Sequence, residues 1–525
     1  MITALGEGPA WGCHGQAPRE GLKRGRRHVR GGPCAGIRND KVVDYEFRDS
    51  IVRIHIGPQH IALRRAGEQP DRFEFRQDHH RWRRAPASNG TAIRVLIAVV
   101  CLAAGACAGR VAPLPAKGAL YGAVQHDTAQ KAPVDATTLD RKLLFGYQGW
   151  FGCPDDGSPL GAWEHWFSRG AVAGPATLRV DMWPDITELD PDERCLTPLS
   201  LPDGRHAQVY SAYNPKTVDR HFRWMREYGL AGVFLQRFTS RLDHPAVLGF
   251  RDSVARNVRS AAESNGRVFA LMYDISGHPR ETVVDGVKRD WVHMVDTLRI
   301  TESPRYLRHH GRPLVAIWGF GFRDRSPTPA QAAELIDFFR NNPDPRYRVT
   351  LLGGVPARWR TLTRDSQTDP EWSRVYRSFD IISPWTVGRF RDSQGIDRFY
   401  ADEVAKDVAE THRLGIEYMP VVFPGFSWHN MNRTAPFNPI RRRGGRFLWR
   451  QVERALSAGN TMLYGAMFDE VDEGTAMFKV APARRDAPVE APIVTLDADG
   501  ERVPSDWYLR LSRAAQRRLI SMPPK

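Results

Sequence analysis

Residues 461–470 read TMLYGAMFDE, an apolar run that ends in two carboxylates and is followed by Asp472, Glu473 and a glycine. Seven similar runs precede it. In chain order they are KLLFGYQGWF, AGVFLQRF, RVFALMYDIS, PLVAIWGFG, RVTLLGGV, FDIISPWTV and YMPVVFPGF. Most of these runs are continuously apolar rather than alternating, which is typical of parallel strands that are covered on both faces.

Helix signals separate many of the apolar runs. Asn214-Pro215 is an N-cap followed by proline at the first helical position, and Gly229 ends the periodic stretch that follows. Thr328-Pro329 opens a second helix, and residues 448–459 hold a third that ends at a glycine. Strand and helix repeated eight times predict a (β/α)8 barrel of the TIM type. A doubly wound open sheet is the main alternative, but it usually has fewer strands.

The predicted catalytic domain is a single unit over residues 139–525. It includes a long loop after the first strand and a C-terminal hairpin and helix, because an Asp-Gly turn signal precedes an amphipathic stretch near the end of the chain. No second domain and no repeat other than the β/α unit is evident.

The N-terminal fifth has a different composition. Residues 1–106 hold 18 of the 75 Lys and Arg residues but 10 of the 60 Asp and Glu residues, and therefore carry about half of the net charge of +15. Residues 1–92 show no sustained period. We interpret them as frame upstream of the translated start, with a disordered basic arm as the alternative.

An apolar run of about 14 residues follows, from Val95 to Ala108, and Ala104-Gly105-Ala106 forms an A-x-A cleavage site. This length suits a signal-peptide core and is short for a bilayer span. Residues 93–109 are therefore predicted as a signal peptide and residues 110–138 as a linker. The mature chain is expected to be exported, periplasmic or extracellular, without a transmembrane helix.

The cysteines fit export. Cys107 directly follows the cleavage site, and the sequence leaves open whether it is the lipidated cysteine of a membrane-anchored lipoprotein. Cys153 and Cys195 are the two cysteines of the predicted mature chain, and their spacing does not decide whether they form a disulfide. No zinc-type Cys/His spacing is present, so no metal or cofactor is predicted.

A barrel of this type carries its chemistry at the carboxyl ends of the strands. The residues at these ends combine aromatic rings with amides, charges and hydroxyls, which suits a sugar, since rings stack on C–H faces and polar groups bind hydroxyls. The candidates for substrate binding are Tyr147, Gln148, Trp150, Gln236, Arg237, Tyr273, Asp274, Trp318, Trp385, His429 and Asp469. An oligo- or polysaccharide substrate is predicted, and the basic surface lacks a nucleic-acid motif.

Glu470 and Glu473 are the predicted catalytic pair. Glycoside hydrolysis needs one group that protonates the leaving oxygen and a second that acts as a base or nucleophile, and two carboxyls in one pocket can supply both. Asp469 and Asp472 are expected to point elsewhere if the strand alternation persists, and to bind backbone amides or an arginine.

At this point the chain resembles a known family. FDEVDEGT resembles the E-W-x-E-G-T signature of glycoside hydrolase family 99, the endo-α-mannosidases and endo-α-mannanases, and GYQGWF is similar to that group and to family 71. The resemblance covers about residues 140–515. It implies a retaining hydrolase in which Glu470 engages the sugar 2-hydroxyl and Glu473 protonates the departing oxygen and later activates water. The intermediate would be a 1,2-anhydro sugar, and no metal is required.

The chain departs from this signature at Val471-Asp472, where the family has tryptophan and usually a polar residue. We therefore predict an exported hydrolase for an α-linked, mannan-like glycan and keep two alternatives. One is a glycosidase for α-glucan, xylan or arabinan side chains. The other is a noncatalytic carbohydrate-binding barrel, because a fold does not define a function.

Overall fold

The computed structural model describes residues 132–323 and 327–523, together with five short strands between Val43 and Arg84. These parts belong to two compact units, each of which is described by itself.

The N-terminal unit contains an antiparallel sheet in which the strands pair in chain order. The strands are Val43–Arg48, Ile51–Ile56, Gln59–Arg65, Phe73–Gln77 and Arg83–Arg84. These strands lie within residues 1–92, for which the sequence predicts either frame upstream of the translated start or a disordered basic arm. Runs such as VRIHI do alternate between apolar and polar residues, a strand signal that the high arginine content masks. Residues 93–109, with Cys107, and most of the predicted linker lie outside the described residues.

The second unit is built on eight parallel strands. Their bounds are β1 (Leu143–Tyr147), β2 (Gly232–Phe238), β3 (Val268–Asp274), β4 (Arg312–Trp318), β5 (Thr350–Pro356), β6 (Ile381–Trp385), β7 (Glu417–Tyr418 and Val421–Val422) and β8 (Leu463–Gly465). All residues of β2, β3 and β5 are buried, as expected for strands with both faces covered.

The sheet closes through the two pieces of β7. The first piece pairs with β6 and the second with β8, while β8 also pairs with β1. Between the two pieces the Met419 N–H donates to the Ile382 carbonyl at 3.0 Å, and the Pro420 carbonyl accepts from the Tyr464 N–H at 3.0 Å. The predicted (β/α)8 barrel is confirmed.

Nine α-helices surround the strands in the described part of this unit. Their bounds are α1 (Pro215–Glu227), α2 (Pro245–Asn265), α3 (Val283–Asp296), α4 (Pro329–Asn341), α5 (Glu371–Tyr376), α6 (Ser393–Phe399), α7 (Ala405–Leu414), α8 (Arg446–Ser457) and α9 (Trp507–Ile520). The predicted start signals are confirmed. The Asn214 side chain accepts the Lys216 N–H, and Thr328 forms a capping box with Gln331.

The C-terminal extension agrees with the prediction in part. Helix α9 packs on the barrel, where the Gln516 side chain accepts the Leu143 N–H at 2.9 Å. The Asp-Gly signal forms a turn in which the Gly500 N–H donates to the Asp497 carbonyl, but no strands flank it, so the hairpin is absent from this described segment. None of the described helices has the length and apolar character needed to cross a membrane.

The predicted long loop after β1 runs from residue 148 to residue 214. It contains a two-stranded hairpin, Arg194–Ser200 paired with His206–Tyr210. A disulfide between Cys153 and Cys195 joins this hairpin to the start of the loop. The disulfide therefore links two parts of the same loop.

Candidate active site

A cleft of about 660 Å³ opens at the carboxyl ends of the strands. Its lining combines three acids, two amides, an arginine, sulfur-containing side chains and aromatic rings. The residues are Gln148, Gln236, Phe238, Met272, Asp274, Trp318, Phe322, Trp385, Val387, Arg389, Tyr464, Met467, Glu470 and Glu473. Seven predicted site residues meet here: Gln148, Gln236, Asp274, Trp318, Trp385, Glu470 and Glu473.

Glu470 is held by both of its carboxyl oxygens. One accepts from the Gln148 amide at 2.5 Å, and the other accepts from the Thr475 hydroxyl at 2.6 Å. The Glu470 carbonyl also accepts the N–H groups of Thr475 and Ala476 at 3.1 and 2.9 Å, while the Glu473 carbonyl accepts the Ser427 N–H at 3.0 Å. These bonds fold the segment after β8 so that both glutamates line the cleft.

The environment of the two glutamates favours the protonated form of Glu470. Burial raises the pKa of Glu470 well above its ordinary value, and the negative charge of Glu473 adds to this effect. The hydrogen bonds from Gln148 and Thr475 act in the opposite direction. Because two adjacent buried carboxylates repel each other, ionisation of one makes ionisation of the other less favourable.

Asp469 and Asp472 do not line the cleft, although the cause is not strand alternation, because β8 ends at Gly465 and the acids lie in the turn that follows. The Asp469 carboxylate accepts the Gln148 N–H at 2.7 Å and the Gly149 N–H at 2.9 Å. Burial raises its pKa to about 7. The structure therefore corrects Asp469 from a substrate-binding candidate to a residue that fixes the start of the loop after β1. Asp472 lies 3.1 Å from Nδ1 of His165.

Arg237 also differs from its predicted place. Its guanidinium pairs with Asp252 of α2 at 2.8 Å and with Asp290 of α3 at 2.6 Å, and only 1% of the residue is exposed. The reason is the pleat of β2, in which Gln236 points into the barrel and the next side chain points out toward the helices. Arg237 stabilises the helix layer and does not reach the acids of the cleft.

Tyr147 and Tyr273 lie outside the cleft lining for the same reason. The Tyr147 hydroxyl contacts Nδ1 of His221 at 2.9 Å, and Tyr273 is fully buried beside Asp290. Burial raises the pKa of both hydroxyls well above the ordinary value. Asp274, one residue after Tyr273, does line the cleft, and its carboxylate accepts the Ser276 N–H at 2.8 Å.

Two loop residues also lie away from the predicted site. The Trp150 ring stacks on His165 at a centroid distance of 3.7 Å and on Phe238 at 4.8 Å, so protein rings already cover it. His429 does not line the cleft, because its Nδ1 contacts the Ala435 carbonyl at 2.7 Å. Trp150 is covered by His165 of the same long loop and by Phe238 of β2, and His429 is held by a carbonyl six residues further along its own loop.

Asp181 is an important residue that sequence reasoning missed. Its buried carboxylate accepts the His429 N–H at 2.8 Å, the Asn430 N–H at 2.6 Å and the Ser427 hydroxyl. Its own N–H donates to the Val471 carbonyl at 3.0 Å. Asp181 therefore ties the loops that follow β1, β7 and β8, and an aspartate in an irregular loop carries no local signal of this role.

The floor of the cleft was missed as well. The Tyr464 hydroxyl accepts from the Gln236 amide at 2.9 Å, and Met467 contacts Tyr464 through its sulfur. Arg389 reaches the rim from the SPWTVGR segment and pairs with Asp365 at 2.8 Å. Sequence reasoning could have found these residues, because each lies inside one of the apolar runs or directly after it.

One group of metal-ligand side chains occurs in residues 132–323 and 327–523, and it lies at the opposite end of the barrel. It consists of His309, His310 and Glu417. The backbone N–H of Leu139 donates to Nδ1 of His309 at 3.1 Å, so Nε2 carries the proton that it donates to Glu417 at 2.6 Å. A protonated Nε2 cannot ligate a metal, and the group is best described as a hydrogen-bonded cluster.

Fold and site together define a (β/α)8 barrel that carries paired carboxylates over an aromatic-lined cleft. A solved structure of the GH99 endo-α-mannosidase from Bacteroides thetaiotaomicron aligns with a TM-score of 0.52 at 15% identity, over 73% of this chain and 100% of that one. The GH99 endo-α-mannosidase in complex with Bis-Tris propane aligns with a TM-score of 0.52 at 16% identity, over 73% and 98%.

The fold of the chain is thus a GH99-like barrel, which confirms the resemblance at the level of the fold. No protein-family model matches the sequence, and a search of curated proteins finds no match either.

Proposed function

We propose that the chain is a glycoside hydrolase that cleaves an α-linked, mannan-like glycan with retention of configuration. The observation that carries this proposal is the joint placement of Glu470 and Glu473 in one cleft beside Trp318 and Trp385. The likeness of the fold to a GH99 endo-α-mannosidase supports it. In the proposed reaction one carboxyl of the pair is protonated and the other is ionised, so the pair supplies an acid and a base at the same pH.

The contacts support separate roles for the two glutamates. Glu470 accepts two hydrogen bonds, which favour its ionised form. We therefore assign the role of base to Glu470 and the role of acid, which starts protonated, to Glu473. In the proposed first step Glu470 removes the proton of the sugar 2-hydroxyl, whose oxygen attacks the anomeric carbon. Glu473 gives its proton to the departing glycosidic oxygen. This step yields a 1,2-anhydro sugar.

In the second step Glu473 removes a proton from water, which attacks the anomeric carbon and opens the three-membered ring. Glu470 returns its proton to the 2-oxygen, and the pair regains its starting state. Two inversions at the same carbon give overall retention.

The walls of the cleft suit a pyranose ring. Trp318 and Trp385 pack edge to face, with centroids 5.6 Å apart and an angle of 73° between their planes. Both are half-buried, so part of each ring faces the cleft. Gln236 and Asp274 add polar groups for hydroxyls on the same lining.

The test compares the wild type with Glu473→Gln on α-mannans, α-glucans, xylans and arabinans, with new reducing ends counted. Glu334→Gln is the matched control, because this exposed glutamate of α4 pairs with Lys288 away from the cleft. We expect cleavage of α-mannan by the wild type and the control, and a rate lower by about 10²–10⁴ for Glu473→Gln, the range for loss of a general acid. The first product should retain its anomeric configuration by NMR.

The other outcomes identify the alternatives. If the wild type cleaves a different polysaccharide and Glu473→Gln shows the same loss of rate, the proposed substrate is wrong but the catalytic pair is supported. An inverted first product would overturn the anhydro-sugar route. If neither wild type nor variant cleaves a glycan that both bind equally, the chain is a noncatalytic carbohydrate-binding barrel.

We also propose that the mature chain is exported, beginning near Cys107. N-terminal sequencing and intact mass of the protein from cell envelope and culture medium test this. A free N-terminus near residue 107 supports cleavage, an added lipid mass at Cys107 supports an anchor, and an intact N-terminus from residue 1 contradicts both.

A further inference from the structure

The cleft continues into a cavity at each of two sides. One cavity of about 510 Å³ shares Gln148, Gln236 and Phe238 with the cleft. A wider groove of about 1450 Å³ shares Arg389 with it. A bound chain longer than the cleft would therefore extend into one or both of these spaces.

The smaller cavity is bordered by arginines that outnumber the acids. Arg169 pairs with Glu164, and Arg237 is neutralised by Asp252 and Asp290 as described above. Arg241 and Arg251 remain. Arg241 is exposed, and neither residue forms an ion pair with any described residue.

The Arg251 side chain lies where its guanidinium can bind an anion. One terminal nitrogen of its guanidinium donates to the carbonyls of Phe238 and Ser240, the latter at 2.7 Å. The other two nitrogens make no hydrogen bond to the part of the chain that the structure describes. Burial and the nearby charge of Arg237 lower the pKa of Arg251 to about 10, which leaves it charged at neutral pH. A half-buried guanidinium with unused donors favours an oxyanion as its partner.

The wider groove is basic as well. It is lined by Arg358, Arg364, Arg389, Arg391, Arg398 and Lys406 against Asp392, Asp402 and Glu403. Glu403 neutralises Arg358, and Asp365 neutralises Arg389. Arg364, Arg391, Arg398 and Lys406 are exposed and have no ion pair within the described ranges. Four like charges without partners repel one another, and a polyanion relieves this repulsion.

We propose that the two flanking cavities are subsites for acidic groups, so that the substrate is a glycan bearing carboxylates, sulfates or phosphates on both sides of the cleaved residue. The statement that a sugar residue is cleaved between the two subsites rests on the proposed function, whereas the binding of an acidic glycan does not. A hydroxyl of a neutral mannan can accept a hydrogen bond from a guanidinium but brings no charge, while a carboxylate, sulfate or phosphate accepts two parallel hydrogen bonds and also neutralises the cation.

The test uses the full chain with Glu473→Gln, so that bound glycans stay intact. Calorimetry gives Kd for size-matched oligosaccharides that are neutral, uronate-bearing, sulfated or phosphorylated, which separates the sources of the negative charge. We expect at least one acidic series to bind more than tenfold tighter than the neutral one at about 0.05 M salt. The advantage should shrink at about 0.5 M salt, where exposed charges are screened.

Substitutions locate the effect. Arg391→Gln combined with Arg398→Gln should weaken binding of the acidic glycan about fivefold or more and leave the neutral one unchanged, as removal of exposed charges near a ligand does. Arg241→Gln tests the smaller cavity. Because the Arg241 side chain is exposed, its replacement should not disturb the packing around the half-buried Arg251. Arg256→Gln combined with Arg312→Gln is the control, since both residues are exposed and line neither cavity.

Equal Kd values for neutral and acidic glycans, or an equal loss in the control, would overturn this inference. So would duplex DNA that competes as well as every acidic glycan, because the groove would then be a nonspecific polyanion surface. Cleavage of neutral mannan without preference for acidic chains leaves the proposed hydrolase intact and removes the acidic subsites. Selective binding of acidic chains without cleavage of any glycan would support the acidic subsites and contradict the proposed hydrolase.

Discussion

Consecutive residues at the rim of the barrel have opposite surroundings. Gln236 faces the cleft and bonds to Tyr464, whereas Arg237 faces the helices and pairs with Asp252 and Asp290. Likewise Glu470 lines the cleft, and Asp469 binds backbone N–H groups behind it. The rim therefore consists of an inner ring that faces the cleft and an outer ring whose polar groups meet protein partners.

The two rings differ in their electrostatics. In the outer ring Arg237 meets two opposite charges, and removal of this cation would leave two buried anions unpaired. The inner ring instead places Glu470 and Glu473 together, and their repulsion opposes folding. Loss of the charge of Glu470 should therefore stabilise the protein, and loss of the charge of Arg237 should destabilise it.

The largest effect is expected for Glu470→Gln. Glycan cleavage should fall by at least about 10², since the base is lost, while the free energy of unfolding rises because the repulsion with Glu473 ends. Turnover on the identified substrate and thermal unfolding measure the two effects, with Glu334→Gln as the control. A variant that loses activity and also loses stability would contradict the distinction between the rings.

Arg237→Gln should give the largest loss of stability. It leaves Asp252 and Asp290 buried without their cation, and breaking a buried pair in this way costs about 3–5 kcal/mol. Gln236→Leu is the matched comparison and should cost less than about 1.5 kcal/mol while it changes KM or kcat. Denaturant unfolding measures both values. Equal losses of stability would show that the two faces of β2 do not differ as proposed.

Asp469→Asn sharpens the comparison through pH. Since burial raises the pKa of Asp469 to about 7, the folded protein binds an extra proton between about pH 4 and pH 7. Its contribution to stability is full below the unfolded pKa and is lost as the pH rises through 7, with a slope of about 1.4 kcal/mol per pH unit. The stability of Asp469→Asn should fall less steeply over this range.

Unfolding by denaturant at successive pH values gives the slope. Asp203→Asn is the control, because this exposed carboxyl has its pKa lowered by Arg205 and should leave the slope between pH 4 and pH 7 unchanged. Parallel curves for wild type and Asp469→Asn would exclude the protonation of Asp469 in the folded state.

The smallest effect is expected for Trp385→Phe. Loss of part of a stacking surface is worth about 0.5–1.5 kcal/mol, so KM should rise about two- to tenfold with little change in kcat. Trp150→Phe is the comparison, and its KM should stay within about twofold, because His165 and Phe238 already cover that ring. A larger rise for Trp150→Phe would place this residue in the inner ring.

Much of the fold could be predicted because its signals are local. The eight apolar runs all became barrel strands, and the helix starts at Asn214 and Thr328 follow from caps that the chain carries within four residues. The Glu470–Glu473 pair was within reach because both acids directly follow the last apolar run, in a segment that resembles a known signature. Strand alternation does not explain the pair, because β8 ends at Gly465 and the acids lie in the turn that follows.

The errors have a common physical cause. Tyr147, Arg237 and Tyr273 were chosen because they end strands, but the phase of each pleat relative to the barrel axis depends on pairing with distant strands. Trp150 is covered by a histidine from the same long loop, and Asp181 acts through a loop more than 240 residues further along the chain. Contacts of this kind cannot be inferred from the spacing of residues along the sequence.

The closure of the barrel affects the order in which the chain can fold during synthesis. β1 pairs with β2 soon after both emerge, but its other edge pairs with β8, where Leu143 meets Leu463. Until then an apolar strand edge is open, and open edges recruit other chains. Most of the polypeptide must therefore leave the ribosome with this edge unprotected. A nascent chain stalled before residue 463 should be a better client for a chaperone than the released protein.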